Sequence, residues 1–264
     1  MRWVLAVAFL CSGLPVSAQF TTKLQPQTAQ EFEAYARKVE QQLELHWHGQ
    51  QTFIAVDANP SERENVLKGD LLVRPGTPDN PVSVSNGLVH DWVGTVFIPN
   101  TTLSKVLDVL QDFNHHSEIY PSVIRSRLIR RDGDVLAGYW RLERKQGPLT
   151  VVLDVEEQVR YQEIGPGKWI GTAYAKDISE VENPGKPKEK KLPPDDGSGF
   201  LWRLYGYWSL EATNGGVLAE CRTLSLSRNI PGAVAWAIKP FVNTLPRESL
   251  TMTLQATRSA ASMK

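Results

Sequence analysis

Apolar and polar positions alternate along much of the chain. The clearest run spans residues 149–161, where Leu149, Val151, Leu153, Val155, Val159 and Tyr161 oppose Thr150, Asp154, Glu156, Gln158 and Arg160. A period of two, with one dry row and one wet row, is the pattern of a half-buried β-strand. Further strands are readable at 88–98, 122–131, 135–145, 168–178, 200–212 and 217–228. Asp132-Gly133, Gln146-Gly147-Pro148, Gly165-Pro166-Gly167 and Asn214-Gly215-Gly216 separate neighbours by hairpin-sized gaps. The pattern predicts a seven-stranded, mainly antiparallel sheet.

Helical spacing interrupts this texture in three places. Thr28-Ala29-Gln30-Glu31 reads as a capping box, and Phe32, Tyr35, Ala36, Val39 and Leu43 follow on one face, predicting a helix over 28–46. Leu103, Val106, Leu107 and Leu110 predict a second over 101–113. A short helix at 232–239 is ended or kinked by Pro240, and Thr244 caps a longer one running to about residue 260. Sixteen residues at 1.5 Å each give roughly 24 Å, enough to lie across such a sheet. Residues 49–87 carry too much Pro, Gly and Asn punctuation for long elements and predict an irregular extension with two short strands. Residues 179–199, rich in Lys, Glu, Asp and Pro, predict a solvated loop inserted between two strands.

The 264 residues carry 29 Lys+Arg against 29 Asp+Glu, a balance that gives nonspecific nucleic-acid binding no bulk attraction, so nucleic acid is not an expected partner. Met1-Arg2, the apolar run 3–14 and the small residues Val16-Ser17-Ala18 predict a cleaved secretory signal over 1–18 and a mature chain beginning near Gln19. That run is shorter than the roughly 20 residues needed to span a bilayer, and no later segment comes close, so a soluble mature protein is expected. Cys11 falls in the leader and Cys221 stands alone, which excludes an internal disulfide and favours a bacterial periplasm or outer surface over a eukaryotic secretory route.

The order strand, short helices, six strands, long terminal helix resembles the helix-grip fold of the START and polyketide-cyclase-like superfamily, which includes the birch-pollen allergen. Val96-Phe97-Ile98-Pro99, the helix Val106 to Phe113 with its Asp112-Phe113 pair, and Tyr120-Pro121-Ser122-Val123 with Ser126 are similar to the opening of such domains. Glu220, Ile230-Pro231, Pro240-Phe241-Val242, Arg247 and Arg258 are similar to their closing strand and helix. The resemblance covers about 88–260, leaving 19–87 as an added helix and irregular extension. It implies an α+β fold in which a curved sheet wraps around the terminal helix with an apolar cavity between them. Members bind sterols, phospholipids, quinones, polyketides or plant hormones, and some catalyse cyclisation or dehydration.

Of the eight tryptophans, six fall within 88–260, namely Trp92, Trp140, Trp169, Trp202, Trp208 and Trp236, and they suggest a cavity wall. On the strand at 200–212 one row reads Phe200, Trp202, Leu204, Gly206, Trp208, Leu210 and should point inward, against Leu201, Arg203, Tyr205, Tyr207, Ser209, Glu211. Trp140, Leu142, Leu153 and Val155 are their expected neighbours, with Phe113, Trp236 and Phe241 completing the lining. The same rings could equally fill a plain core. On the last strand Val217, Ala219, Cys221, Thr223 and Ser225 form a small row, favoured under the terminal helix, with Glu220 and Arg222 opposite in water. If that opposite row is internal instead, Glu220 and Arg222 become acid-base candidates. His115-His116 diverge too far on a helix for one metal ion, His46-His48 fail likewise, and His90-Asp91 point to opposite faces, so no metal is expected. Nucleophile and phosphate motifs are missing and Cys221 reads as an inert buried thiol. Lys186, Lys188, Lys190 and Lys191, with Trp236 and Phe241, could touch a membrane transiently, but acidic neighbours favour a solvated loop. The expected function is binding or carriage of a hydrophobic small molecule with no cofactor. A cyclase or dehydratase, and an interaction module with a collapsed cavity, are the alternatives.

Overall fold

A computed structural model describes residues 22–49, 51–146, 149–229 and 235–262; the expected leader lies outside them. Strand β1 (Thr22–Lys23) and helix α1 (Pro26–Trp47) precede a 3-10 turn (Ala55–Ala58), helix α2 (Pro60–Leu67) and strands β2 (Leu71–Pro75) and β3 (Val82–Val84). Strand β4 (Gly87–Pro99) leads into α3 (Leu103–Gln111) and α4 (His116–Ile119). Strands β5 (Val123–Asp132), β6 (Val135–Gln146), β7 (Leu149–Gly165) and β8 (Lys168–Glu182) then form a meander. After β9 (Lys190–Lys191) and β10 (Asp196–Gly197) come β11 (Arg203–Thr213), β12 (Gly216–Arg228) and α5 (Ala235–Ser262).

The main sheet has ten strands, ordered β2-β4-β12-β11-β8-β7-β6-β5, with β3 also on β4 and β9 on β8. All its pairings are antiparallel. Its seven long strands are those the alternation predicts, β2 and β3 are the two short strands expected within 49–87, and β9 is an addition. Register shifts within β5–β6 and β7–β8 mark bulges, which bend and twist strands. Because β4 neighbours β12 while β5 lies at the far edge, α3 and α4 must carry the chain from one side of the sheet to the other. This is the helix-grip arrangement, with α5 against the inner face.

Helix α5 seats on one side of that face. Leu250 and Leu254 press on β4 at Gly94, where an added Cβ would lie 2.5 Å from a Leu254 methyl. Only glycine permits so close an approach. The small row of β12, with Val217, Ala219 and Cys221, belongs to the same cluster, as the sequence favours. Pro240 neither ends the helix nor splits it: α5 is continuous from Ala235 to Ser262, and the first residues of the expected 232–239 helix lie outside the described residues.

The outer face is wet at Glu156, Gln158 and Arg160 of β7, as the alternation predicts, but dry over β11 and β12. Helix α1 lies over the dry part, packing Phe32, Ala36, Val39, Leu43 and Trp47 against Tyr205, Tyr207, Leu218 and Leu224. Tyr205 donates to the Glu33 carboxylate, Tyr174 and Tyr207 donate to Oε1 of Glu40 at 2.9 and 3.0 Å, and Trp47 Nε1 donates to Ser209 Oγ at 2.9 Å. Both rows of β11 are therefore buried, which explains why its outer row is aromatic. The capping box does not form: α1 starts earlier, with Pro26 in its first turn and no side-chain cap. Thr28 instead donates to the Ser85 carbonyl at 2.6 Å, and Glu31 accepts from Ser85 N at 2.7 Å, fastening the helix to the loop before β4. The 179–199 stretch begins as the end of β8 and contains β9 and β10, the latter pairing with β1, while Lys186, Lys188, Lys190 and Lys191 are exposed.

A buried ion pair ties these layers together. Arg222 donates through Nε and Nη2 to the Asp91 carboxylate at 2.9 and 2.6 Å, and Tyr35 of α1 donates to the same group at 2.7 Å. Asp91 is fully buried. Breaking such a pair from one side strands a charge, at a cost of about 3–5 kcal/mol, whereas replacing both partners by apolar residues can be neutral. Asp91→Asn should accordingly lower the stability measured by urea unfolding by about that amount, and the Asp91→Leu/Arg222→Met double variant should regain most of it. A single-variant loss below about 1 kcal/mol would contradict this role.

Candidate functional site

Between the inner face of β6, β7, β8, β11 and β12 and helix α5 lies a cavity of about 270 Å³. Its wall is apolar over most of its extent, with Leu142, Val151, Leu153, Val159, Leu204, Trp208, Leu250 and Met252 facing the space. Gly206 helps to keep it open. An added Cβ there would meet only Ala173 Cβ, at 3.6 Å, so the missing side chain leaves room rather than relieving a clash. Glycine inside a strand weakens it by roughly 0.5–1 kcal/mol, so this space comes at a small cost in stability.

Three polar pairs are built into the wall. His90 Nε2 lies 3.0 Å from Ser227 Oγ, and the Tyr120 and Thr257 hydroxyls lie 3.2 Å apart. Trp140 Nε1 donates to Nδ1 of His116 at 3.0 Å, so Nδ1 carries no proton and Nε2 donates to the Val109 carbonyl at 3.1 Å. His116 is thus a neutral imidazole with both nitrogens engaged, and burial pushes its pKa down to about 4. Phe113 stacks behind Trp140, ring centres 5.9 Å apart, and packs on His116 at 4.7 Å. Burial likewise lowers His90 to about 4.

Glu157 is different. It occupies the inner row of β7 between Val155 and Val159, where the pairs Glu156–Asp177 and Gln158–Tyr174 leave one β7 residue opposite two of β8, a bulge. It is 6% exposed, faces the cavity, and makes no hydrogen bond or ion pair among the described residues. Burial alone raises its pKa to about 8, so at neutral pH it is a carboxylic acid. Its charge, if formed, would be felt by Tyr120, Tyr161 and Cys221, whose own ionisation burial already suppresses.

Of the residues singled out from sequence, Trp140, Leu142, Leu153 and Trp208 line the cavity. Phe113 and Val155 are buried behind the wall. Trp202 does not line it: it precedes β11 and packs in the α1-side cluster with Leu226, because the inward alternation starts only where the strand does. The side chains of Trp236 and Phe241 lie outside the described residues. Glu220 and Arg222 are neither in the cavity nor in water. They lie on the outer face, where Glu220 accepts from Thr95 Oγ1 and Ala55 N, both at 3.0 Å, so an acid-base role for them inside the cavity has no geometric basis. His116, considered in the sequence as a metal ligand and set aside, is buried in the wall. Glu157 went unassigned although parity put it in the dry row: a carboxylate at the one position missing from an apolar alternation was the signal.

A scan against protein-family models and a search of curated proteins find no match. By structure the chain is similar to a STAR-related lipid transfer protein from Xanthomonas axonopodis, at 20% identity over 74% of this chain and 99% of that one, TM-score 0.45. It is similar to the Zhui aromatase/cyclase from a Streptomyces species, at 9% identity over 66% and 93%, TM-score 0.44. A START superfamily protein from Mycobacterium smegmatis is similar at 13% identity over 65% and 97%, TM-score 0.41.

The neutral acid makes stability depend on pH. Its folded pKa of about 8 exceeds the ordinary 4.5, so the folded state binds the proton more tightly; that contribution is complete below pH 4.5 and lost as pH rises through 8. His90 and His116 act oppositely, contributing fully above 6.5 and losing it as pH falls through 4. Urea unfolding at pH 5 and at pH 8.5 should show the wild type losing several kcal/mol relative to Glu157→Gln across that interval. Parallel behaviour of the two proteins would contradict a buried, unpaired acid.

Proposed function

We propose that the protein binds a hydrophobic small molecule in this cavity and carries it without chemical change, in an extracytoplasmic setting. The observation that supports the reading best is the unfilled, mostly apolar space beneath α5, close to the roughly 300 Å³ at which small-molecule sites begin. Burying roughly 250 Å² of apolar ligand surface at ~25 cal/mol per Å² gives about 6 kcal/mol, which corresponds to a Kd of tens of micromolar before any polar contact. The ligand, a lipid, quinone or polyketide-like compound, would add one or two hydrogen bonds that set its orientation. Export rests on the leader pattern of residues 1–18. Among the described residues no helix is long and apolar enough to cross a membrane, and a transient membrane contact during loading remains part of the proposal.

Two measurements test it. The neutral apolar dye N-phenyl-1-naphthylamine should brighten on binding the wild type. Gly206→Leu, which puts a side chain into the space, should weaken binding at least tenfold, while Trp202→Ala should leave it within about twofold. Equal binding by wild type and Gly206→Leu would remove the cavity as the site. Mass measurement of the protein from its own organism should show a chain starting at Gln19, and an intact amino terminus would refute export by this leader.

A further inference from the structure

Among the described residues the cavity wall holds a buried carboxyl group that makes no hydrogen bond or ion pair. We propose that Glu157 is the anchor of the site and that its acid O–H donates a hydrogen bond to the carbonyl oxygen of an uncharged, otherwise apolar ligand such as a ketone, quinone or ester. This rests on the hydrophobic-ligand reading above and narrows its ligand class.

The geometry makes the case. His90, His116 and Tyr120 in the same wall have partners: Ser227 for His90, Trp140 and the Val109 carbonyl for His116, and Thr257 for Tyr120. Glu157 has none among the described residues, although it is more than nine-tenths buried. Leaving a buried polar group unpaired opposes folding, so a group placed at a bulge and aimed into the cavity is completed by what enters the cavity. The Tyr161 hydroxyl in the same wall also makes no hydrogen bond among the described residues, so the lining near Glu157 is supplied with donors. Donors call for an acceptor.

The charged groups nearby argue against an ionic ligand. Arg144 lines the cavity at the other end of β6, opposite Val151, where it donates to Ser249 Oγ at 2.6 Å; no Lys or Arg pairs with Glu157 among the described residues. The groups that face Glu157 are Tyr120, Tyr161 and Cys221, all held neutral by burial, and across the bulge Lys176 turns outward to Glu33. With its proton held to about pH 8, Glu157 meets the ligand as a neutral donor. An amine would require ionising both partners in an apolar space, where desolvation of two charges opposes binding.

Matched naphthalenes test this, with affinities read by displacement of N-phenyl-1-naphthylamine: the ketone 2-acetylnaphthalene, the same-shaped hydrocarbon 2-isopropenylnaphthalene, and 1-(2-naphthyl)ethylamine. At pH 6.5 the wild type should bind the ketone about tenfold more tightly than the hydrocarbon, and this preference should vanish by pH 9.5 as Glu157 ionises. Glu157→Gln keeps an N–H donor and should keep the preference at both pH values. Glu157→Leu should abolish it at both while still binding the hydrocarbon, which shows that the variant is folded. Equal affinity for ketone and hydrocarbon in the wild type would overturn the anchor and leave the apolar site standing. Tighter binding of the amine, lost in Glu157→Gln, would also overturn it. Failure of all three probes to bind would overturn the hydrophobic-ligand reading itself.

Discussion

Everything in this molecule follows from where α5 touches the sheet. It is seated against β4, where Gly94 lets Leu250 and Leu254 approach the backbone, and against the small side chains of β12. A helix pressed to that side of a curved sheet cannot also fill the concavity over β6, β7 and β8. Large side chains line the gap from several strands. The hollow is therefore a consequence of curvature and of a seat set to one side. Void-free packing is what interiors ordinarily achieve, so a space of about 270 Å³ is a departure that calls for an occupant.

The two faces of the sheet divide the chemistry. On the outer face charged groups hold α1 and the preceding turns in place: Asp91 with Arg222 and Tyr35, Glu40 with Tyr174 and Tyr207, Glu220 with Thr95 and Ala55 N. These bonds fasten an amino-terminal layer that buries a second aromatic row. On the inner face the titratable groups His90, His116 and Glu157 are held neutral at neutral pH by burial. An interior in which these three groups are uncharged, and in which Arg144 at the other end of β6 is bonded to Ser249, suits a ligand that is uncharged and sparsely polar.

The alternation located all seven long strands and the small row of β12, because a strand with one dry face imprints its period directly on the sequence. Rows that are apolar on both faces were harder. The tyrosines of β11 read as outward, and nothing in that strand alone says that a helix some 160 residues earlier covers them. Trp202 was placed in the cavity by extending the alternation of β11 past its start, where the chain is no longer extended in register. Glu220 and Arg222 posed a choice between cavity and solvent, yet they occupy a third environment, the seam under the amino-terminal extension. Glu157 was legible in principle, since a carboxylate in a dry row has either a partner or a purpose. Its bulge, however, depends on the pairing of β7 with β8, which one strand's sequence does not reveal.

The hollow can be seen directly by diffraction from crystals pressurised with xenon, a probe that enters apolar space and needs no hydrogen bond. The account predicts xenon density bounded by Leu142, Leu153, Trp208 and Leu250, beside an unpaired Glu157. A solid interior at that place, with Trp140 and Trp208 closed over it and no xenon bound, would contradict it.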